Sequence, residues 1–259
     1  MQTEIIRVQS WSELQERLYT DAYNPYLKRY RSSYVYRGMD DVSYDLSTSL
    51  NRLGESHLER HLLRNFRKYA QVEGNRSVWN WLALAQHHGL PSRLLDWTYS
   101  PQVALHFATS KFRKYDRDGV IWAINYVDSI HQLPQSLRGI IDEEGSHLFT
   151  AEMLDRGAKT LDELPRLKSS DYVVFLEPPA MDQRIVNQYA VFSMMSNPNI
   201  NLEDWVVNQD IRNFKIIIPK ELKWEIRDKL DQSNINERTL FPGLDGLATW
   251  LKRHYKDIR

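Results

Sequence analysis

One stretch constrains the fold more than any other: in LALAQHHGLPSRLLDWT, an apolar helix, a turn and a strand follow one another directly. Apolar residues keep helical spacing over 79–86, and Gly89 and Pro91 are typical helix-ending residues. The short apolar run after them predicts a strand, and SPQVALHFATSKF predicts a further helix. We therefore expect the stretch to form part of a functional site, because Asp96 and Thr98 lie close together on its strand.

The adjacent histidines of this stretch suggest a metal site, with His87, His88, His106 and Asp96 as candidate ligands. Neighbouring helix positions point about 100° apart, so His87 and His88 cannot both face one ion in an unbroken helix. We therefore expect no metal. One histidine is expected at the helix end, beside Gly89 in a left-handed cap, and His88 is expected to face the cleft.

Two charged residues, Arg93 and Asp96, lie among the apolar residues of the predicted strand. An isolated charge is costly to bury there. Each can pair with the other, with backbone groups or with a bound ligand, and the sequence leaves these alternatives open. Both are candidate site residues for this reason.

The remaining pattern predicts an α+β fold in a single domain spanning 1–259, with a helical N-terminal part and strands concentrated in the second half. Ser12 is the predicted N-cap of the first helix. Helices are predicted over 12–19, 58–69, 79–86, 101–110, 221–230 and 247–255. Strands are predicted in SSYVYRG, GVIWAINYV, DYVVFLEPP, IVNQYAVFSMM and FKIIIP. The acidic, weakly patterned residues 129–182 are expected to form an insertion.

Composition excludes several classes of protein. The 34 basic and 34 acidic residues cancel, so net charge indicates neither a nucleic-acid binder nor a membrane-surface protein. The absence of cysteine excludes disulfides, thiolate catalysis and Cys-ligated metal centres. The first residues contain acids and no long apolar run, which predicts a cytoplasmic chain without a membrane partner. Most aromatic residues have core spacing, which gives no support to a platform for single-stranded nucleic acid.

Several motifs, in order, resemble the FRG domain family, which is named for a Phe-Arg-Gly motif. The motif is Tyr36, Arg37 and Gly38 here, with Tyr in place of Phe. The other matching segments are LSTSLNR, LLRNFRKYA, LALAQHHGLPSRLLDWTYSPQVALHFA, RIVNQYAVF and TLFPGLDG. The resemblance covers about 30–250 and implies one FRG-type domain.

A second resemblance is to the ADP-ribosyltransferases, which grip NAD with three motifs on a split β-sheet. The corresponding residues here are Arg37 in VYRG, Thr98 in LLDWT before a small-residue helix, and Gln188 in IVNQYAVF. The resemblance implies a split mixed or antiparallel sheet, NAD or a related nucleotide as ligand, and a protein or nucleic acid as acceptor. It also implies a toxin or an antiviral defence effector of a microbe.

The resemblance further implies roles for these residues. Arg37 would hold the pyrophosphate or ribose, Thr98 would orient the ribose, and Gln188 would hold the 2′-hydroxyl or the acceptor. Tyr36 or Trp97 would stack on nicotinamide. Further residues expected at the catalytic or nucleotide site are Gly38, His88, Arg93 and Asp96.

The neutral amide of Gln188 cannot stabilise positive charge as a carboxylate does. Either another acid completes the site, with Asp96, Glu177 and Glu237 as the candidates, or the domain binds a nucleotide without transferring it.

Two other functions remain open. The chain could be a non-catalytic module that binds a nucleotide or a protein through the QHHGLPSRLLDW surface. It could also be a hydrolase or nuclease that uses His87 or His88 with Asp96. In that case the excess of Lys and Arg over acids between Arg52 and Arg117 would form a track for the substrate.

Overall fold

The computed structural model describes residues 3–71 and 76–256, and within them the predicted α+β class with a mixed sheet is confirmed. The strands are β1 (Glu4–Arg7), β2 (Tyr23–Asn24), β3 (Arg29–Tyr30), β4 (Tyr34–Met39), β5 (Leu94–Thr98), β6 (Gly119–Asn125), β7 (Val173–Leu176), β8 (Ala190–Met195) and β9 (Asn213–Ile218). The helices are α1 (Trp11–Leu18), α2 (Ser49–Leu53), α3 (Glu59–Tyr69), α4 (Val78–His87), α5 (Pro101–Ala108), α6 (Gln135–Glu144), α7 (Ala151–Gly157), α8 (Gln183–Asn187), α9 (Leu202–Val206), α10 (Lys223–Gln232), α11 (Glu237–Leu240) and α12 (Leu244–His254).

Seven of these strands form one sheet in the order β1-β9-β6-β4-β5-β8-β7, as far as the described residues show. β1 runs parallel to β9, and every other neighbouring pair is antiparallel. The first half of the chain contains α1 to α5, in keeping with a helical N-terminal part, together with the three strands predicted there. Strands β4, β5 and β6 come from the first half of the chain and form the centre of the sheet.

Strands β4 and β5 touch at one place. β4 pairs with β6 along its whole length, and β5 does the same with β8. Within the described residues, β4 and β5 share only the register pair Tyr36 and Thr98. Arg37 bridges the gap beyond this pair, because its Nη1 donates a hydrogen bond to the backbone oxygen of Asp96 at 2.6 Å. The two halves of the sheet therefore diverge on one side of the pair and leave a cleft.

The two faces of the sheet bury separate apolar clusters, because successive side chains of a strand point to opposite faces. On β4, Tyr34 and Tyr36 pack against α1 and α5. Val35 and Met39 belong to the larger cluster, which includes much of α4. Strand β4 thus anchors both cores, which fixes the position of Arg37 between them.

The acidic segment 129–182 contributes to the larger core. Leu137 and Ile141 of α6, Leu154 of α7 and the whole of β7 are buried in it. The segment contains the helices α6 and α7, and it also supplies an edge strand of the main sheet.

Two local predictions are wrong. The N-cap of α1 is Ser10, whose Oγ accepts a hydrogen bond from the Glu13 amide at 3.2 Å, and Ser12 lies inside the helix. Gln188 does not lie on a strand. It is the C-cap of α8, Tyr189 follows in the left-handed region, and β8 begins only at Ala190.

The packing of α5 on β4 requires a glycine at position 38. A Cβ atom on Gly38 would lie 1.7 Å from the carbonyl oxygen of Ala104, which is backbone and cannot swing aside. Gly38 was expected at a nucleotide site. The close approach of α5 to β4 is a structural reason for glycine at this position.

We expect Gly38→Ala to lower the free energy of unfolding by about 3 kcal/mol or more, because the helix must move away from the sheet. Gly139→Ala is the matched control. Gly139 lies inside α6 with no atom near its added Cβ, so alanine there should raise stability by roughly 0.5–1 kcal/mol. Urea unfolding of the three proteins checks this. Equal stability of the wild type and the Gly38 variant would contradict it.

Candidate functional site

A cavity of about 260 Å³ lies where β4 and β5 diverge. Arg37, Thr98 and Gln188, the three residues of the predicted motif set, all line it. The other lining residues are Tyr36, Gly38, Gln86, His87, Asp96, Trp97, Phe107, Arg184, Ile185, Ala190 and Phe192. A larger cavity of about 780 Å³ shares Arg37, Gly38 and Phe107 with the first. The two together form one groove with Arg37 at its middle.

Arg37 is held with part of its guanidinium free. Its side chain is 19% exposed, and Nη1 donates to the Asp96 carbonyl. Its Nε is buried and has no hydrogen-bond partner among the described residues. Burial lowers the pKa of Arg37, and the nearby Asp96 carboxylate partly offsets this. The guanidinium therefore keeps donors beyond its bond to Asp96, and its partly exposed edge can face an anion in the groove.

Asp96 provides an accessible carboxylate in the cavity. Its side chain is 61% exposed and lies 3.9 Å from Nη1 of Arg37. Both carboxylate oxygens accept hydrogen bonds from Nε2 of Gln86, at 3.1 and 3.2 Å. Gln86 is itself oriented by the Ser92 hydroxyl, which donates to its Oε1 at 2.8 Å. The carboxylate is therefore fixed in direction while remaining open to a ligand.

The histidine that lines the cavity is His87, and His88 lies exposed outside it at the C-cap of α4. The expectation that His88 faces the cleft is therefore wrong. The ring of His87 contacts Asp182, with Nε2 at 2.5 Å from a carboxylate oxygen. Gly89 has the expected left-handed backbone after the helix end.

Asp182 is a residue that the sequence reasoning missed. It is the N-cap of α8 and accepts a hydrogen bond from the Ile185 amide at 3.0 Å. Burial raises the pKa of Asp182, but the Ile185 hydrogen bond and the contact with His87 outweigh burial, so the pKa is lowered. A capping aspartate before a short helix was visible in the sequence, whereas its contact with His87 across 95 residues was not.

Thr98 and Gln188 join parts of the chain around the cavity. The Thr98 hydroxyl donates to the Gln188 carbonyl at 2.7 Å and accepts from the Ser100 amide at 3.0 Å. The side-chain amide of Gln188 donates to the Leu240 carbonyl at 2.9 Å. The hydroxyl proton of Thr98 is therefore already in use, and Gln188 connects the cavity wall to α11.

The rings of Tyr36 and Trp97 are packed in the cores on either side. The Tyr36 hydroxyl donates to the Leu18 carbonyl at 3.3 Å. Nε1 of Trp97 donates to the Ser193 hydroxyl at 2.8 Å, and its ring meets Phe175 edge-on. Both residues border the cavity, but with these contacts neither ring is free to stack on a ligand.

Arg93 lies outside the cavity. Its guanidinium is buried and pairs with Glu59, with Nε at 2.7 Å from Oε2, and its backbone amide donates to Oε1 at 3.0 Å. The partner of Arg93 is therefore neither Asp96 nor a ligand but a glutamate on α3. This pair fastens α3 to the start of β5.

Of the three candidate acids, only Asp96 lines the cavity at the divergence of the strands. Glu177 accepts a hydrogen bond from the Tyr99 hydroxyl at 2.6 Å. Glu237 is buried among cations, where it pairs with Arg227 and Arg253. Asp96 is therefore the acid that the geometry offers for chemistry.

His106 is buried within α5. Its Nδ1 accepts a hydrogen bond from Nη1 of Arg227 at 2.8 Å, and burial lowers its pKa to about 3. The four proposed metal ligands do not come together. Over 3–71 and 76–256, no group of three or more His, Asp or Glu side chains is arranged to hold a metal ion.

Glu237 is the centre of a buried ionic cluster that holds the C-terminal helices together. Nε of Arg253 on α12 lies 2.8 Å from its Oε1, and Nη2 of Arg227 on α10 lies 3.2 Å from its Oε2. Burial raises the pKa of Glu237, but the hydrogen bond from Arg253 and the charge of Arg227 outweigh it and lower the pKa from its usual 4.5 to about 2.

Residues 32–117 match the family model of the FRG domain. This segment carries α2 to α5 together with β4 and β5, the two strands whose divergence opens the cavity, whereas β8, which also lines it, lies outside the matched residues. No curated protein and no solved structure is significantly similar to the chain. No helix in the described part of the chain is both long enough and apolar enough to cross a membrane.

We expect stability to fall in acid as Glu237 becomes protonated. Its pKa is lower in the folded than in the unfolded chain, so its contribution is present above about pH 4.5 and is lost as pH falls towards about 2. Glu237→Gln should lower the free energy of unfolding at pH 7 by about 3–5 kcal/mol and reduce this acid dependence. Urea unfolding at several pH values measures both.

Glu225→Gln is the control, because Glu225 is exposed and pairs with Lys229 on the same helix. It should change stability by less than about 1 kcal/mol. An acid dependence that is unchanged in the Glu237 variant would contradict the assignment.

Proposed function

We propose that this FRG-domain chain binds NAD in the groove between β4 and β5 and transfers ADP-ribose to a macromolecule, as an ADP-ribosyltransferase-like enzyme. The observation that carries the proposal is that one cavity is lined by Arg37, Asp96 and Gln188, although they come from distant parts of the sequence. Such an activity would suit a toxin or an antiviral effector that acts in the cytoplasm.

Anion binding by arginine supports the nucleotide part of the proposal. Arg37 lines both cavities, and the guanidinium donors on its partly exposed edge suit a pyrophosphate. Arg184 also lines the smaller cavity, with its guanidinium 5.0 Å from the centre of the Phe241 ring. Arg52 and Lys111 line the larger cavity.

The shape of the groove suits a dinucleotide better than a single small ring. The smaller cavity, of about 260 Å³, has room for one end of the molecule, and the adjoining cavity, of about 780 Å³, has room for the rest. A ligand that occupies both would pass Arg37 with its phosphates. NAD has this layout, with a nucleoside at each end of a pyrophosphate.

Transfer breaks the bond between ribose C1′ and the nicotinamide nitrogen, whose electron pair leaves with nicotinamide. The acceptor nucleophile forms the new bond to C1′ and loses its proton. We assign the stabilisation of the positive charge on the ribose to the carboxylate of Asp96, since Gln188 is neutral and bonded to Leu240. We assign the proton to His87, which Asp182 orients.

The contact between His87 and Asp182 also supports a second candidate function. A histidine held by an aspartate beside an exposed carboxylate can also activate water, so a hydrolase or nuclease that uses His87, Asp182 and Asp96 fits the cavity. The two candidates differ in whether NAD is consumed.

We expect NAD to bind the wild-type chain in a calorimetric titration. Arg37→Ala should lower the affinity at least tenfold through the loss of a charged contact. Because Arg37 also bridges β4 and β5, Arg184→Ala is a second variant, and it should weaken binding without affecting the fold.

Arg60→Ala is the matched control, because Arg60 is exposed and pairs with Asp162 far along the chain. Binding by this variant should equal that of the wild type. The absence of heat from the wild-type protein would rule out the NAD proposal.

We expect the wild-type chain to release nicotinamide from NAD when an acceptor is present. Asp96→Asn should slow release at least a hundredfold while changing NAD affinity little, because the carboxylate acts mainly on charge that develops during transfer. Chromatography of nicotinamide measures the rate. Binding of NAD without any release would indicate a non-catalytic module. Cleavage of nucleic acid that needs His87 but not NAD would indicate the hydrolase.

A further inference from the structure

A small hairpin, made of β2, β3 and the turn between them, presents aromatic rings to solvent. Tyr26 is 93% exposed, Tyr30 is 69% exposed and Tyr23 is 48% exposed. Tyr23 and Tyr30 face each other across the two strands with ring centres 5.3 Å apart. An aromatic cluster this open to water is unusual for a folded surface, and such clusters mark binding sites.

The backbone of the turn holds these rings in place. Oδ1 of Asn24 accepts hydrogen bonds from the amides of Tyr26 and Leu27, both at 3.0 Å. Lys28 has a left-handed backbone, with φ of 52°, and the Arg31 amide donates to the Ala22 carbonyl at 2.6 Å. The hairpin is therefore a defined shape and not a loose loop, so a ligand would meet a preformed surface.

The charges of the hairpin have one sign. Lys28, Arg29 and Arg31 lie beside the tyrosines, and none of them has an ion-pair partner among the described residues. The nearest acid in sequence is Asp21, which accepts a hydrogen bond from the Tyr34 hydroxyl at 3.4 Å. Cations interleaved with open aromatic rings match the alternating phosphates and bases of a single strand of nucleic acid.

The segment that precedes the hairpin contacts the first turn of α5. This segment includes Tyr19, whose hydroxyl accepts a hydrogen bond from Nε2 of Gln102 at 3.4 Å. Gln102 lies in the first turn of α5, two residues after the cap residue Ser100, whose amide donates to the Thr98 hydroxyl. Thr98 lines the cavity. The segment before the hairpin is thus connected through the start of α5 to a residue of the cavity wall.

We propose that the surface formed by Tyr23, Tyr26, Lys28, Arg29 and Tyr30 binds single-stranded nucleic acid. Bases stack on the tyrosines, and the cations contact the phosphates. That this strand is also the acceptor of ADP-ribose rests on the proposed function, whereas its binding does not. The sequence pattern gave no support to such a platform, because only the structure separates these tyrosines from those of the core.

Fluorescence anisotropy with labelled oligonucleotides of about 12 residues tests the proposal in the absence of NAD. Oligo-dT and oligo-U distinguish DNA from RNA, and a duplex of the same length tests the need for unpaired bases. We expect the wild-type chain to bind one or both single strands more tightly than the duplex. Tyr26→Ala combined with Tyr30→Ala should lower the affinity at least tenfold, since two stacking contacts are lost.

Tyr69→Ala is the matched control, because Tyr69 is similarly exposed and lies beside Lys68 on α3. It should leave binding unchanged. Lys28→Gln combined with Arg29→Gln should reduce the slope of log affinity against log salt by about 1.4, from about 0.7 for each phosphate contact.

The proposal is overturned if the wild-type chain binds neither oligonucleotide, or if Tyr69→Ala weakens binding as much as the hairpin substitutions do. A protein that cross-links to the wild-type chain and not to the Tyr26 and Tyr30 variant, with no oligonucleotide bound, would assign the surface to a protein partner instead. Because no NAD is present, failure here is separate from failure of the NAD titration.

Discussion

The single contact between β4 and β5 determines most of what the rest of the structure can do. If the two strands were paired along their length, as β4 and β6 are, the sheet would be continuous and the cavity would be closed. Their separation exposes backbone that Arg37 partly satisfies by bonding to the Asp96 carbonyl. The same arginine thereby becomes a fixed cation between two cavities, while Asp96 turns its carboxylate to solvent. One unpaired stretch of sheet thus provides the opening, the cation and the carboxylate.

Sequence patterns predicted elements well where a local signal was sufficient. The helix, turn and strand around Gly89 follow from apolar spacing and a left-handed glycine, and β6 follows from a run of β-branched and aromatic residues. Prediction failed where tertiary contacts decide the outcome. The residues before Ala190 have the composition of a strand, but Asp182 caps a short helix there and Tyr189 turns the chain. Edge strand β1 was missed because its four residues are mostly exposed and lack an apolar pattern.

For the candidate site, too, local patterns indicated the residues but not their tertiary contacts. Arg37, Thr98 and Gln188 line one cavity, but motif order could not show which of their atoms are already bonded. Partners distant in sequence were invisible: Glu59 for Arg93, and Asp182 for His87. No spacing rule predicts such pairs, because they depend on how separate helices dock. Arg93, which the sequence suggested as a ligand-binding residue, therefore has a structural partner. Asp182, the N-cap of α8, contacts the cavity residue His87.

The wall of the cavity is joined to the end of the chain through two amide side chains. Gln188 donates to the Leu240 carbonyl, and Asn187 donates to the Thr239 carbonyl at 2.7 Å. The cluster around Glu237 in turn holds α10, α11 and α12 as one ionic unit. Opening of these helices would thus loosen the wall that a ligand contacts. Linkage is reciprocal, so a ligand that needs an ordered wall stabilises the C-terminal helices by the same free energy with which they favour its binding. The cavity and the C-terminal helices therefore form a thermodynamically coupled pair.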